Sequence, residues 1–193
     1  MNNKTKKIVI GSLFAALTTV TTMLKLPTPS FGYIHPGDSL VLMCGIILGP
    51  VAGALSAGIG SMFADIFSGY ISFAPATLVI KAITALIAGL IFNHTNCNHT
   101  MRTIIAGIPG ELFMVSGYYA YEVFLFITTA KSTTGTSLAA AMSASLLGVP
   151  FNILQGIAGI LISLALLPVL LKINDIRDCI YHEMHSIKKD KQI

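Results

Sequence analysis

Apolar residues along this chain come in long blocks, and polar residues gather in the gaps between them. Six blocks stand out, at about 7–26, 39–49, 51–67, 77–93, 103–128 and 142–171. Crossing a bilayer core of ~30 Å takes about 20 helical residues at ~1.5 Å each. The fourth and fifth blocks fit that length, and the sixth is long enough to tilt or to bend at Pro150. The first begins behind a basic segment, as a cleavable leader would. Its apolar run reaches Leu26, however, so it is read as a retained span. Read as one helix, residues 39–67 would extend ~43 Å at ~1.5 Å per residue, too long for an untilted span. Read as two, they are short helices joined by a tight turn at Gly49-Pro50, where proline interrupts the helical ladder.

Composition moves the reading from buried helices to membrane spans. Of 193 residues, 54% are hydrophobic and 10% charged, with a mean hydropathy of +0.78. A soluble domain carries roughly 25% charged residues. The expectation is an all-α polytopic membrane protein, one domain over 1–193, with six transmembrane helices in a bundle over about 7–172 and a cytoplasmic tail over 173–193. Basic residues set its orientation. With six spans and the N-terminus inside, Lys4, Lys6, Lys7, Arg102, Lys172, Arg177, Lys188, Lys189 and Lys191 are cytoplasmic; Lys25 and Lys131 are outside and Lys81 is in a span. Five spans would leave four basic residues inside and seven outside, against the positive-inside rule. Orientation also accounts for the net charge of +4, so no nucleic-acid partner is implied. Three cysteines without repeated spacing, Cys44, Cys97 and Cys179, give no disulfide framework.

Charge inside the blocks is where chemistry can be sought, because an ionisable side chain at mid-bilayer costs roughly 2.5–3.5 kcal/mol. Asp65, Lys81, Glu111 and Glu122 are so placed. Asp65 and Lys81 fall at similar depth, either as an ion pair or as ligand contacts. Asp38 precedes the second helix, where a carboxylate can cap free N–H groups. In the fifth block, Glu111, Tyr118 and Glu122 are spaced by seven and four, which at ~100° per residue puts them within ~40° of one another. That face lines a polar cavity or a structural hydrogen-bond network. In "GVPFNILQG", Asn152 and Gln155 put two amides one turn apart, suited to the edge of a heteroaromatic ring or to another helix. Gly11, Ser12, Ala15, Ala16 and Thr19 form a small-residue stripe that can pack internally or receive another protein's helix.

Other signals carry less. His94, Cys97 and His99 lack a fourth metal ligand, "NHT" at Asn93 and Asn98 lies in a cytoplasmic loop, and "GIGSMFAD" lacks the lysine of a nucleotide site. The tail over 175–193 mixes both charge signs and reads as a solvated helical extension. Glu111 and Glu122 could serve a membrane enzyme as acid and base, but no nucleophile or metal motif accompanies them. No catalytic residue, metal or cofactor is assigned.

Six spans in this length, "GYIHPGDSLVLMCGIILGPVAGALSAGIGSMFADIFSGY" at 32–70, "FAPATLVIK", "GYYAYE" and "PFNILQG" together resemble the S component of an energy-coupling factor (ECF) transporter. The resemblance covers roughly 7–172 and is most specific over 32–81. It implies a vitamin-capture subunit in a bacterial plasma membrane, both termini cytoplasmic, working with a transmembrane coupling subunit and two cytoplasmic ATPases. It implies an external gate over 27–37, stiffened by Pro27, Pro29 and Pro36, and a site drawn from Tyr33, His35, Asp65, Tyr70, Lys81, Tyr118, Glu122, Asn152 and Gln155. The Gly11, Ser12, Ala15, Ala16, Thr19 stripe resembles the docking surface for the coupling subunit. With no tryptophan, a stacked-indole thiamin site is not expected. The "GYIHPGDSLV" pattern is most similar to S components for hydroxymethylated heteroaromatics, pyridoxine or hydroxymethylpyrimidine, with riboflavin-type relatives as the alternative.

Overall fold

Helix α1 (Asn3–Met23) leads into a short antiparallel hairpin, β1 (Leu26–Pro27) with β2 (Tyr33–Ile34), in which Leu26 pairs with Ile34 and Pro27 with Tyr33. The remaining elements are α2 (Asp38–Leu48), α3 (Pro50–Phe67), α4 (Ala74–His94), α5 (His99–Ala130), α6 (Leu138–Ser145), α7 (Val149–Leu170) and α8 (Asn174–Asp190). This is a computed structural model, and it describes residues 3–28, 32–130 and 137–190. Pro29, Lys131 and Lys191 lie outside the described residues, as do the side chains of Lys4, Lys188 and Lys189.

The Gly-Pro punctuation does what its chemistry dictates. Gly49 has φ +81°, a left-handed conformation that glycine adopts without steric cost, and Pro50 opens α3 where its missing N–H is not needed. Two helices result, and the first is the centre of the bundle. All eleven residues of α2 are buried. At ~1.5 Å per residue it is about 16 Å long, roughly half a bilayer core. Glycines let α3 and α4 close on it. A Cβ at Gly53 would lie 2.6 Å from the Cα of Gly45, and one at Gly89 would lie 2.6 Å from the Gly45 carbonyl oxygen. These helices touch backbone to backbone, the packing that small residues permit inside a membrane.

The outer faces are apolar. Leu13, Val79, Leu112 and Leu161 are each more than half exposed, the inverse of a soluble bundle. Four stretches, Pro50–Phe67, Ala74–His94, His99–Thr129 and Leu138–Leu170, are long and apolar enough to cross a membrane, so this is an all-α membrane protein. α1, with Lys6 and Lys7 near its start, and the short α2 fall outside that measure.

Three boundaries differ from the sequence reading. α1 ends at Met23 rather than 26, because Leu26 and Pro27 join the hairpin. The sixth block is divided by a turn at 146–148, so Pro150 opens α7 instead of bending a single helix. The third concerns the tail: its helix is not solvated all round. Ile176 and Ile180 of α8 enter the core beside Leu48 and Leu167, since a mixed-charge helix with apolar residues at i and i+4 has one face to bury.

α8 also clasps the other elements at its end of the bundle. Lys6 pairs with Asp175 at 2.6 Å and Asp178 at 3.3 Å, Lys7 pairs with Glu183, and the Glu183 carboxylate packs against Gly49. The start of α1, the Gly49 turn and the C-terminal helix therefore share one end, and the hairpin lies at the other. The glycine contacts predict that Gly89→Ala, which adds one methyl group between α4 and α2, costs ~1–3 kcal/mol by overpacking. A thermal midpoint in detergent equal to that of the wild type would show that the helices have room to part.

Candidate functional site

The hairpin carries Tyr33 and His35 over the ends of α3, α5 and α7, and a cavity of about 30 Å³ lies beneath it. Its lining comes from six regions of the chain. Thr22 ends α1; Gly32, Tyr33 and His35 come from the hairpin; Asp65 closes α3; Tyr70, Phe73 and Thr77 lead into α4; Tyr118 and Glu122 come from α5; Asn152 and Gln155 come from α7. Eight of the nine residues named from the sequence meet here, and the ninth, Lys81, does not.

Lys81 is instead completely buried, and its ammonium pairs with Asp38. This corrects two sequence readings. Lys81 does not pair with Asp65, because the carboxylate at the head of α2 faces it directly. Asp38 is not a cap: the capping position is Gly37, and no side chain bonds the free N–H groups there. The second Asp38 oxygen accepts from Gln155 Nε2 at 2.8 Å, and Gln155 Oε1 accepts from the backbone N–H of His35 at 3.0 Å. A single chain of contacts thus runs from α4 through α2 and α7 to the hairpin. Gly156 and Gly159 make room beside it, since a Cβ at either would press on Glu111 and one at Gly159 would also press on Asp38. Glu111 belongs to this buried layer and not to the cavity wall.

Above that layer the cavity is aromatic and acidic. Tyr33 and Tyr70 meet with ring centroids 4.7 Å apart, Tyr70 meets Phe73 edge-on at 6.3 Å, and the Tyr33 hydroxyl donates to Asp65. Burial, with Asp65 alongside, raises the Tyr33 phenol above its ordinary range and keeps it a donor. The Tyr118 hydroxyl donates to Thr77 Oγ1 at 3.1 Å. Burial pushes His35 down to about 3, so its imidazole is neutral at physiological pH, with Nδ1 accepting from the Gly37 N–H at 3.1 Å. Lys25 lies 4.6 Å from the Tyr70 centroid and 5.3 Å from that of Tyr33, and donates to the Ser68 carbonyl at 3.0 Å.

Periodicity found Tyr118 and Glu122, and the amide pair found Asn152 and Gln155. Thr22, Gly32, Phe73 and Thr77 were missed. Phe73 and Thr77 sit inside the "FAPATLVIK" segment, and Thr77 lies one turn before Lys81, which is the signal that could have located it.

A second feature lies between α1 and α3. Gly11, Ser12, Ala15, Ala16 and Thr19 all line an open groove of about 900 Å³, with Leu55, Ile59 and Phe63 opposite. The stripe is divided between two tasks. Thr19 Oγ1 donates to the Gly60 carbonyl at 2.8 Å and Gly11 closes on Ser56, while Ser12 and Ala16 remain exposed.

The model of the family described as "ECF-type riboflavin transporter, S component" matches residues 2–172. A protein of Pyrococcus woesei described as "Uncharacterized protein in gap 3'region" is 34% identical over 112 residues, 58% of this chain and 74% of that relative.

The buried pair yields a stability test. Lys81→Met strands the Asp38 carboxylate and is expected to cost ~3–5 kcal/mol. Adding Asp38→Asn keeps a carbonyl for Gln155 but removes the charge, and is expected to recover most of that loss. Denaturant titration of both variants checks this, and equal stability of the single and double variants would contradict it.

Proposed function

The chain belongs to the ECF-type riboflavin transporter S component family, and on that footing we propose that it captures a small vitamin or vitamin precursor from outside the cell. It passes this cargo to a transmembrane coupling subunit driven by two cytoplasmic ATPases, and it performs no chemistry itself. The observation that carries this reading is the cavity under the hairpin, where aromatic rings surround a few fixed polar groups, the composition of a small-molecule site.

The ligand class we favour is a small hydroxymethylated heteroaromatic, of the pyridoxine or hydroxymethylpyrimidine type. A cavity of about 30 Å³ must enlarge even for one ring, and a tricyclic ligand with a polyol chain demands far more. A riboflavin-type ligand is the second reading, favoured by the description of the matching family. In either case the hairpin must move aside. Its contacts to the bundle include the Tyr33–Asp65 and His35–Gln155 hydrogen bonds, each a net contribution of about 1 kcal/mol.

The reading includes six crossings of the plasma membrane with both termini cytoplasmic. Its support is the meeting of the lysine-bearing start of α1, the Gly49 turn and α8 at one end, opposite the hairpin. The groove between α1 and α3 is the proposed seat of the coupling subunit. Its small, partly exposed positions allow the close helix approach on which membrane association depends.

Extraction of the purified chain followed by mass spectrometry tests capture directly, and a co-purified vitamin is the expected result. Asn152→Ala is expected to weaken binding about ten- to hundred-fold, at ~1.4 kcal/mol per decade. Wild-type affinity in that variant would place the pocket elsewhere. Ala16→Leu is expected to lower uptake in cells while leaving calorimetric affinity unchanged; a parallel loss of both would point to misfolding rather than blocked docking.

A further inference from the structure

Charge in the cavity is unbalanced. Asp65, only 3% exposed, brings a carboxylate to it, and among the described residues no lysine or arginine is part of its lining. The nearby cations stand outside its lining. Lys81 is paired with Asp38, and Lys25 lies over the Tyr33 and Tyr70 rings, donating to a backbone carbonyl and reaching Asp65 only through space. His35 is neutral. One Asp65 oxygen accepts from Tyr33, and the other, Oδ2, is buried without a hydrogen-bond partner among the described residues. Thr77 stands nearby, and its hydroxyl, whose oxygen accepts from Tyr118, keeps its own hydrogen to offer Asp65.

We propose that the ligand of this cavity is a heteroaromatic carrying a positive charge, with Asp65 as its counter-ion and Tyr33, Tyr70, Phe73 and Tyr118 as the surrounding rings. This rests on the capture reading and narrows its ligand class. A buried carboxylate is stable only when paired and hydrogen-bonded, and a neutral hydroxyl supplies the second condition without the first. A protonated or quaternary ring nitrogen supplies the missing charge, and an N–H on such a ring adds a charge-assisted hydrogen bond to Oδ2. The rings suit the same ligand. Aromatic faces attract cations within about 6 Å of the centroid. Three of these rings already do so: Lys25 for Tyr70 and Tyr33, and Lys81 for Tyr118 at 5.2 Å. Asn152 is then left to read the ring edge.

Calorimetric titration of the detergent-solubilised chain with 1-methylnicotinamide, a permanent cation, and nicotinamide, its neutral counterpart, tests the charge assignment. The cation is expected to bind at least about ten-fold tighter, the range of one or two cation–π contacts. Asp65→Asn is expected to reduce the preference. Tyr70→Leu, which alters no charge, is expected to weaken the cation more than the neutral probe, and this arm stands if Asp65→Asn does not fold. Equal affinity for the two probes, a neutral preference, or no detectable binding of the cation overturns the proposal. Riboflavin binding by a chain indifferent to the cation also overturns it, while leaving capture intact. A cation preference in a chain that supports no uptake with its coupling subunit supports the charge assignment and sinks the capture reading.

Discussion

Much of this architecture depends on one buried ion pair. Removing an ammonium and a carboxylate from water costs several kcal/mol per ion, recovered only when both are held close and their remaining hydrogen-bonding capacity is filled. Lys81 and Asp38 meet that condition at the head of α2, and Gln155 fills the second carboxylate oxygen. Three helices are thereby fixed relative to one another at one depth. Because Gln155 also receives the His35 N–H, the root of the hairpin is set by the same contacts. The pair is thus structural, yet it determines where the ligand-facing surface begins.

Parts of the site legible in the sequence were those encoded along a single helix. Spacing of seven and four put Tyr118 and Glu122 on one face, and one-turn spacing did the same for Asn152 and Gln155. Gly49-Pro50 could be read as a break because both residues act locally. Choices made between helices were not legible. Lys81 had two aspartates at plausible depth, and only the rotation of α2 against α4 selects Asp38. Asp38 looked like a cap because its position before an apolar run suits capping. Helix α8 looked solvated because its charges outnumber the two isoleucines that bury it, and the break at 146–148, which ends on Gly148 two residues before Pro150, was taken for a bend in one long helix.

Cavity and groove also divide the molecule's polarity in an instructive way. The groove between α1 and α3 is wide, open and almost wholly apolar, while the cavity is smaller, more enclosed and richer in polar groups. A partner helix in a bilayer needs shape and small residues more than hydrogen bonds, whereas a solute taken from water needs its lost hydrogen bonds replaced. The two features answer those separate demands on opposite flanks of α3: Asp65 faces the cavity from its last turns, and Leu55 and Ile59 face the groove.

The complete burial of α2 bears on how the protein is made. This helix is about half a bilayer core in length, and its first residue is a charged aspartate. Its countercharge arrives 43 residues later, and the amide that completes the pair 117 residues later. The isoleucines that close its far end belong to α8. During synthesis, α2 is therefore a segment without its final neighbours until α8 has been translated. The order of emergence runs opposite to the order of importance, and the centre of the molecule is the part that must wait longest to be enclosed.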